Sequence, residues 1–419
     1  MSRKKRFLLV LLILISVYTI YHIIDKINYN KYVSKSNDRV DMWEKDIDYL
    51  AYNLPKKHKD LFYKVSKDDF TNQIENLKKQ IRNMEDDEIK MNIQKIIASI
   101  GDGHTSVNVS PRKIFPLQLY YFNDGIYVIN TLDEHEEIMY NKLKEINGIS
   151  IDNIIENVSL IVSHDNEFGL KNDLPLRIVS SEVLHGLGII DNPDVAKFVF
   201  ENQNKEILEV ELESISGEKY FDNIFSKERK DAPLYMRNND QYYWFEYLEN
   251  EKTVYFKYSQ CVNMKDKPFK EFSKELINFI NSNDVEKFVI DVRNNGGGNS
   301  AILDGFINEI SKNKLNKEDN LFVIIGRRTF SSAILNSISL KEKTKATFVG
   351  EPTGGKPNHF GEVKSFKLPN SQITINYSSK YFKHYKEDIP FLSPDKIIEL
   401  TIDNYMKNND PVLEYILSI

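Results

Sequence analysis

The sequence predicts a multidomain α/β protein, and three observations predict it. From about residue 240 to the end, apolar strand-like runs alternate with amphipathic helical segments, the pattern of a sheet layered with helices. Between residues 115 and 235, short β-rich runs are broken by Asn–Gly and Asp–Gly turn signals. Between residues 41 and 100, apolar residues recur at intervals of three and four with charges between them, as amphipathic helices require. A length of 419 residues suits two or three domains.

The chain begins with Arg3-Lys4-Lys5-Arg6, followed by FLLVLLILISVYTIYHII (7–24), which carries no acidic or basic charge. At a rise of about 1.5 Å per residue this run is just long enough to cross a bilayer. No small-x-small cleavage pattern follows it, and no cysteine is available for lipidation. Residues 1–25 are therefore expected to be an uncleaved membrane anchor. Its basic cluster would stay in the cytoplasm, leaving the chain from about residue 26 outside. Residues 26–40 are polar and read as a stalk.

Residues 41–112 form the expected helical region, exemplified by IENLKKQIRNMEDDEIKMNIQKIIASI and ending in GDGHT. Residues 113–235 form a small mixed unit. FPLQLYYFNDGIYVINTL reads as strands about the Asn123-Asp124-Gly125 turn. KLKEINGISIDNIIENVSLIVS supplies a strand, an Asn147-Gly148 turn and an amphipathic helix, and KFVFENQNKEILEVELESI a pair of strands. Residues 236–419 open with YYWFEYLENEKTVYFKYS, a hairpin turning at Glu249–Lys252 whose aromatics belong to the sheet core. FKEFSKELINFINSN is an amphipathic helix. KFVIDVRNNGGGN is a buried strand running into a glycine loop, and a helix follows from Ser300 to Ile310. LFVIIGRRTF, ATFVGEPTGG and SQITINYSS add strands.

Composition narrows the function. Lys+Arg 56 against Asp+Glu 62 leaves a net charge of −6, and the basic residues are scattered apart from the first few, so nucleic acid is not an expected partner. One cysteine, Cys261, excludes an internal disulfide and reads as a small buried apolar residue. The 8 histidines are dispersed with no H-x-x-x-H and there is no C-x-x-C, so neither a metal nor another cofactor is expected.

Two stretches carry chemistry. In IDVRNNGGGNS (290–300), three glycines lie between a buried strand and a helix. Without G-x-G-x-x-G or a following Lys-Ser/Thr, a nucleotide site is weakly supported. The glycines serve either a plain tight turn or backbone N–H groups aimed at a developing oxyanion. In GRRTFSSAI (326–334), Ser331 and Ser332 stand at a strand-to-helix seam. One of them can cap the helix. Alternatively, Ser331 is a nucleophile, with the N–H of Ser332 and of Gly296 or Gly297 holding the oxyanion. A serine nucleophile needs a base. Lys356 in VGEPTGGKPN must be desolvated to serve. His104 in SIGDGHTSV, with Asp102 close by, needs little tuning near neutral pH.

Jointly these pieces resemble the C-terminal-processing (tail-specific) serine peptidases, a family that includes the core domains of tricorn protease. The resemblance rests on GDGHTSV (101–107), FVIDVRNNGGG (288–298), GRRTFSSA (326–333), VGEPTGGK (349–356) and FLSPDKIIELT (391–401), in that order, and covers roughly residues 40–419. It implies a PDZ-like module over 113–235 and a crotonase-like catalytic α/β core over 236–419. It implies Ser331 as nucleophile, with Lys356 matching the lysine of one branch and His104 the histidine of the tricorn-like branch. The relay of that second branch ends in an acid, here Asp388 or Glu387. Gly296 or Gly297 and Ser332 match the oxyanion donors. The glutamate often found three residues after the nucleophile is Ile334 here. The implied substrate is a peptide or protein, with C-terminal segments captured by strand addition to the module. A catalytically inactive peptide- or lipophile-binding protein on the same scaffold is the alternative; a nucleophile with two candidate bases favours the enzyme.

Overall fold

A computed structural model of the chain describes residues 33–419 apart from 109, 227, 228 and 230, together with 7, 10–20 and 23. Residues 10–20 are helical with exposed apolar side chains. Among the described residues no helix is long and apolar enough to cross a membrane. The rest of the expected 7–24 span, and the expected stalk as far as residue 32, lie outside the described residues.

The helical region contains three helices, Arg39–Lys57, Lys67–Gln80 and Asp86–Ala98. Each start satisfies otherwise orphaned N–H groups: Asp38 and Ser66 accept from the backbone three residues on, and Glu85 with Glu88 forms a capping box. Their inner faces bury Trp43, Ile47, Leu50, Phe70, Ile74, Ile93 and Ile97. Leu368, Ile375 and Tyr377 complete that core, although they lie far along the chain. They come from a hairpin of strands His359–Lys367 and Thr374–Phe382, to which Ser106–Asn108 adds a third strand. Asp46, fully buried, ties the two parts by accepting from the N–H groups of Asn370 at 2.8 Å and Ser371 at 2.7 Å. The SQITINYSS strand therefore does not join the large sheet as expected; its apolar residues face the helices instead.

Residues 113–235 fold around a sheet ordered Leu117–Phe122, Gly125–Thr131, Lys142–Ile146, Val195–Glu201, Ile207–Glu213, with Ile149–Ser150 also pairing to Lys142–Ile146. All of these pairings are antiparallel. Asn147 and Gly148, both at positive φ, make the two-residue turn that NG signals. Helices Ile151–Ser159, Glu167–Ile178 and Ser181–Gly186 contribute Ile154, Leu174, Ile178 and Leu184 to the same core. Residues 150–200 thus contribute to this unit's core.

The C-terminal part is built on a six-stranded sheet, ordered Tyr243–Leu248, Thr253–Tyr258, Lys287–Asp291, Leu321–Ile325, Thr347–Gly350, Lys396–Ile397. The first pairing is antiparallel and the rest are parallel. Every residue of Leu321–Ile325 is buried, because helices cover both faces. Val323 and Ile325 face helices Phe269–Ser282, Ala301–Ile310 and Ser332–Lys343; Phe322 and Ile324 face the C-terminal helix Pro411–Ser418.

Truncating Ile324→Ala should cost about 2–5 kcal/mol through lost burial and the cavity left behind. Denaturant unfolding measures it; a loss below about 1 kcal/mol would show that the second face of the sheet is loosely packed.

Candidate active site

Three consecutive parallel strands, Lys287–Asp291, Leu321–Ile325 and Thr347–Gly350, run in register side by side. Their carboxyl ends release three loops at one edge of the sheet: 292–300, 326–331 and 351–358. Crevices at that edge are the usual ligand sites of parallel sheets. The two motifs singled out above, RNNGGG and RTFSS, therefore become neighbours because their strands hydrogen-bond.

Ser331 sits at the N-cap position of helix Ser332–Lys343 with φ 53° and ψ −126°, a backbone conformation that side chains rarely tolerate. Such strain costs on the order of 1–3 kcal/mol and persists only where surroundings enforce it. Its side chain makes no capping hydrogen bond, so capping does not explain this residue. The enforcement is visible. Phe330 N–H donates to Asn295 O at 3.0 Å, Thr329 Oγ1 to Val292 O at 2.9 Å, and Ser332 Oγ to Gly298 O at 2.6 Å. Asn295, fully buried, donates to Tyr258 O at 2.9 Å and accepts from Gly297 N–H at 2.9 Å. A Cβ on Gly297, whose φ is +109°, would lie 2.7 Å from Ser331 Cβ. Only glycine lets the two loops approach this closely.

The candidate oxyanion donors separate on this geometry. Gly297 N–H is already committed to Asn295. The N–H groups of Gly296 and Ser332 have no hydrogen-bond partner among the described residues. The Ser332 N–H opens a helix, where the dipole favours negative charge.

His104 comes from the helical region. It is placed by Asp102, which is 2% exposed and whose Oδ1 accepts from His104 N–H at 2.9 Å. Asp102 Oδ2 accepts from His58 Nε2 at 3.0 Å, Thr105 Oγ1 at 2.6 Å and Ser378 Oγ at 2.6 Å. Asp60 N–H donates to His58 Nδ1 at 3.1 Å, so Nε2 carries the proton it gives to Asp102. Burial drives the Asp102 carboxyl upward, but hydrogen bonds from His58, Ser378 and Thr105 prevail and hold it at about 2.

The His104 ring is itself buried, and neither ring nitrogen has a hydrogen-bond partner. Its faces are covered by Phe330, at 4.3 Å between centroids, and His359, at 5.3 Å. Phe330 is the residue before Ser331, so the sheet edge and the helical region meet at the nucleophile candidate. Asp165 bolts the parts together: Oδ1 accepts from Gly103 N–H at 2.8 Å and Oδ2 from Lys356 N–H at 3.3 Å. Its neighbour Asn166 donates to Thr353 O at 3.1 Å and Pro390 O at 2.8 Å.

Lys356 stands in the third loop, half-buried, with no hydrogen bond to Nζ among the described residues. A Cβ on the preceding Gly355 would lie 2.7 Å from the Phe330 ring and 2.8 Å from Ile334. Ile334, standing where a glutamate was expected, thus serves packing of this loop.

Asp388 and Glu387 are not brought to His104. Both are exposed, in the loop that follows strand Thr374–Phe382. The main chain of Glu387 is what is engaged, its carbonyl accepting from Asn358 Nδ2 at 3.0 Å. The carboxylate that approaches the ring is Asp102, with Oδ1 3.9 Å from His104 Nδ1. Cys261 is fully buried, and desolvation pushes its thiol up to about 11, as suits a packing residue. The sequence did not single out Asp165, Asn295, Phe330 or His359. His359 lies three residues past Lys356 in a conspicuous KPNHF stretch; Asp165 carries no signal beyond an ordinary turn.

No family model matches the sequence, and no curated protein matches it. Solved structures do. Mature CPAF complexed with lactacystin superposes with a TM-score of 0.63 at 14% identity, over 90% of this chain and 97% of that one. A CPAF serine-to-alanine mutant gives 0.65 at 13% identity, over 90% and 96%. The tricorn protease gives 0.44 at 14% identity, over 90% of this chain and 36% of that one. The chain has the fold of CPAF over nearly its whole length.

Because the folded carboxyl of Asp102 titrates below its ordinary value, the stability it contributes is present above about pH 4 and is lost as pH falls toward 2. Asp102→Asn removes that dependence. Unfolding free energy should drop about 2 kcal/mol less between pH 5 and pH 2 in the variant than in the wild type. Equal drops would contradict an ionised, hydrogen-bonded Asp102.

Proposed function

We propose that the chain is a membrane-anchored serine peptidase, with Ser331 as nucleophile and His104 as general base. One observation carries this: an uncapped serine on a strained strand-to-helix turn, next in sequence to the ring that covers a buried histidine with two unpartnered nitrogens. Strain of this kind at a strand-to-helix turn is what exposes a nucleophilic oxygen.

In the proposed reaction, Ser331 Oγ attacks the scissile carbonyl carbon while its proton passes to His104. The oxyanion takes hydrogen bonds from the N–H groups of Ser332 and Gly296. Collapse breaks the C–N bond, and His104 returns the proton to the leaving amine. Water, deprotonated by His104, then releases the acyl group from Ser331 and restores the enzyme. Asp102 takes the place of Asp388 or Glu387 as the carboxylate that steadies the imidazolium. Lys356 lines the approach to the site; a base there would need its amine removed from water, and the residue is only half-buried.

The substrate is a peptide or unfolded protein. Residues 113–235 act as a PDZ-like module, with a C-terminal segment adding to a free edge of its sheet, and residues 236–419 as a crotonase-like catalytic domain. The sequence of 7–24 supports anchoring, with residues 1–6 cytoplasmic and the catalytic part outside. One observation favours the inactive, ligand-binding alternative: the expected acids Asp388 and Glu387 are exposed and make no ion pair with His104 among the described residues.

The test is hydrolysis of an unfolded protein by the purified chain. Ser331→Ala and His104→Ala should each lose about 10³-fold or more in kcat, and Lys356→Ala less than about tenfold. Full activity of Ser331→Ala would end the peptidase reading. A silent His104→Ala beside a dead Lys356→Ala would transfer the base to the lysine. An inactive wild type that still binds peptide would establish the alternative.

A further inference from the structure

Beside the candidate base stands a second buried histidine that the reaction above does not use. His359 is 4% exposed and opens strand His359–Lys367. Its Nδ1 lies 2.9 Å from Lys356 O. A carbonyl can only accept, so Nδ1 carries the proton of the neutral ring, and the ring is fixed to the loop that contains Lys356. It lies nearly parallel to His104, 12° between planes, and continues a column of rings. Phe330 stacks on His104 at 26° and makes no ring contact with His359 among the described residues, as rings on opposite faces of His104 would; Phe382 lies 5.6 Å from His359 and His384 6.0 Å from Phe382.

This column answers a problem left by the site. A histidine base normally has its plane and tautomer set by a hydrogen bond from one ring nitrogen to an acid. The His104 nitrogens make no such bond, and Asp102 stands back at 3.9 Å. Something else must hold the imidazole while its edge exchanges a proton. Two flat rings gripping its faces hold the plane and leave the edge clear.

Resting on the peptidase reading of Ser331 and His104, we infer that His359 is the positioning residue of the base. Together with Phe330 it clamps the His104 ring, and its neutral face accepts the imidazolium formed when Ser331 gives up its proton. His359 itself exchanges no proton with substrate. The groups facing it are His104 from the 101–105 turn, Asp165 from the loop before helix Glu167–Ile178, the Lys356 carbonyl of its own loop, and His384 beyond Phe382. Burial, and after it the neighbouring His104, hold the His359 imidazole below its ordinary value. The clamp therefore stays neutral when the base takes up its proton, since two stacked cations would repel.

Two measurements on the full chain judge this. In the first, kcat and KM are measured for His359→Ala, which removes the ring, and His359→Phe, which keeps a ring without the nitrogens. Loss of the clamp should lower kcat about 10–100-fold with KM within about twofold, and the phenylalanine should recover most of that loss. In a His104→Ala background, His359→Ala should cost nothing further, because it acts through the base. Equal losses in both variants, no loss in either, or a change confined to KM would each overturn the proposal.

The second measurement does not depend on activity. Ring-labelled histidine NMR follows the His359 titration in Ser331→Ala protein with and without His104→Phe. Removing the neighbouring imidazole should raise the His359 midpoint. An unchanged midpoint would mean that the two rings do not feel each other, and the proposal would fall even if Ser331 and His104 prove catalytic. If Ser331→Ala retains full activity, the peptidase reading fails on that result alone, while this titration still decides whether the rings are coupled.

Discussion

The backbone of Ser331 is the constraint on which the rest of the site depends. A serine at φ 53° and ψ −126° returns to a relaxed conformation unless its neighbours forbid it. Here they do so from two sides. Asn295 holds Phe330 through its carbonyl and shapes the glycine loop through its side chain, and Gly297 brings that loop against Ser331 with no space for a Cβ. Both loops hang from adjacent parallel strands that, apart from half-buried Lys287, are buried on both faces. The burial of an apolar sheet thus supplies the free energy that keeps one serine bent, with its hydroxyl uncapped and the next amide without a partner among the described residues.

The second component comes from elsewhere in the chain and depends on a different kind of bond. His104 is delivered by a helical region whose own core is finished by Leu368, Ile375 and Tyr377 from the distant hairpin. The joint is polar and buried: Asp102 with His58, Thr105 and Ser378, and Asp46 with Asn370 and Ser371. Buried carboxylates are costly unless saturated with donors, and each of these is. Their geometry tolerates little displacement, which suits a joint that must hold an imidazole against Phe330. Asp165 and Asn166 add a third attachment, from the central unit to the 101–105 turn and to the loop carrying Thr353 and Lys356.

Legibility differed between these components for physical reasons. Strand Leu321–Ile325 and the helix after Ser332 were visible because burial on both faces demands an unbroken apolar run and a helix demands its own period. The NG and NDG turns were visible because few residues accept positive φ. The SQITINYSS strand reads as one more strand of the C-terminal α/β part, yet it pairs in a separate sheet against the helical region, since a strand's alternation shows that one face is buried but not against what. Asp388 and Glu387, the acids the resemblance implied, are exposed in the loop after strand Thr374–Phe382, while Asp102, read only as a neighbour of His104, has Oδ1 3.9 Å from His104 Nδ1; which carboxylate nears a ring depends on how distant segments pack, which no local pattern carries.

The sequence by itself determined the α/β class, the order of the units, and the residue types that serine chemistry needs, because periodicity, turn chemistry and side-chain reactivity are local properties. Only the tertiary structure decided which of those residues meet. Ser331 and Gly297 are 34 positions apart, and Phe330 and His104 lie in different units, so their contacts exist only once strands pair and cores close. The ring column through His359 lies beyond any pattern in the chain for the same reason. Stacking depends on the relative tilt of side chains from three separate segments, and no spacing along a sequence encodes a tilt.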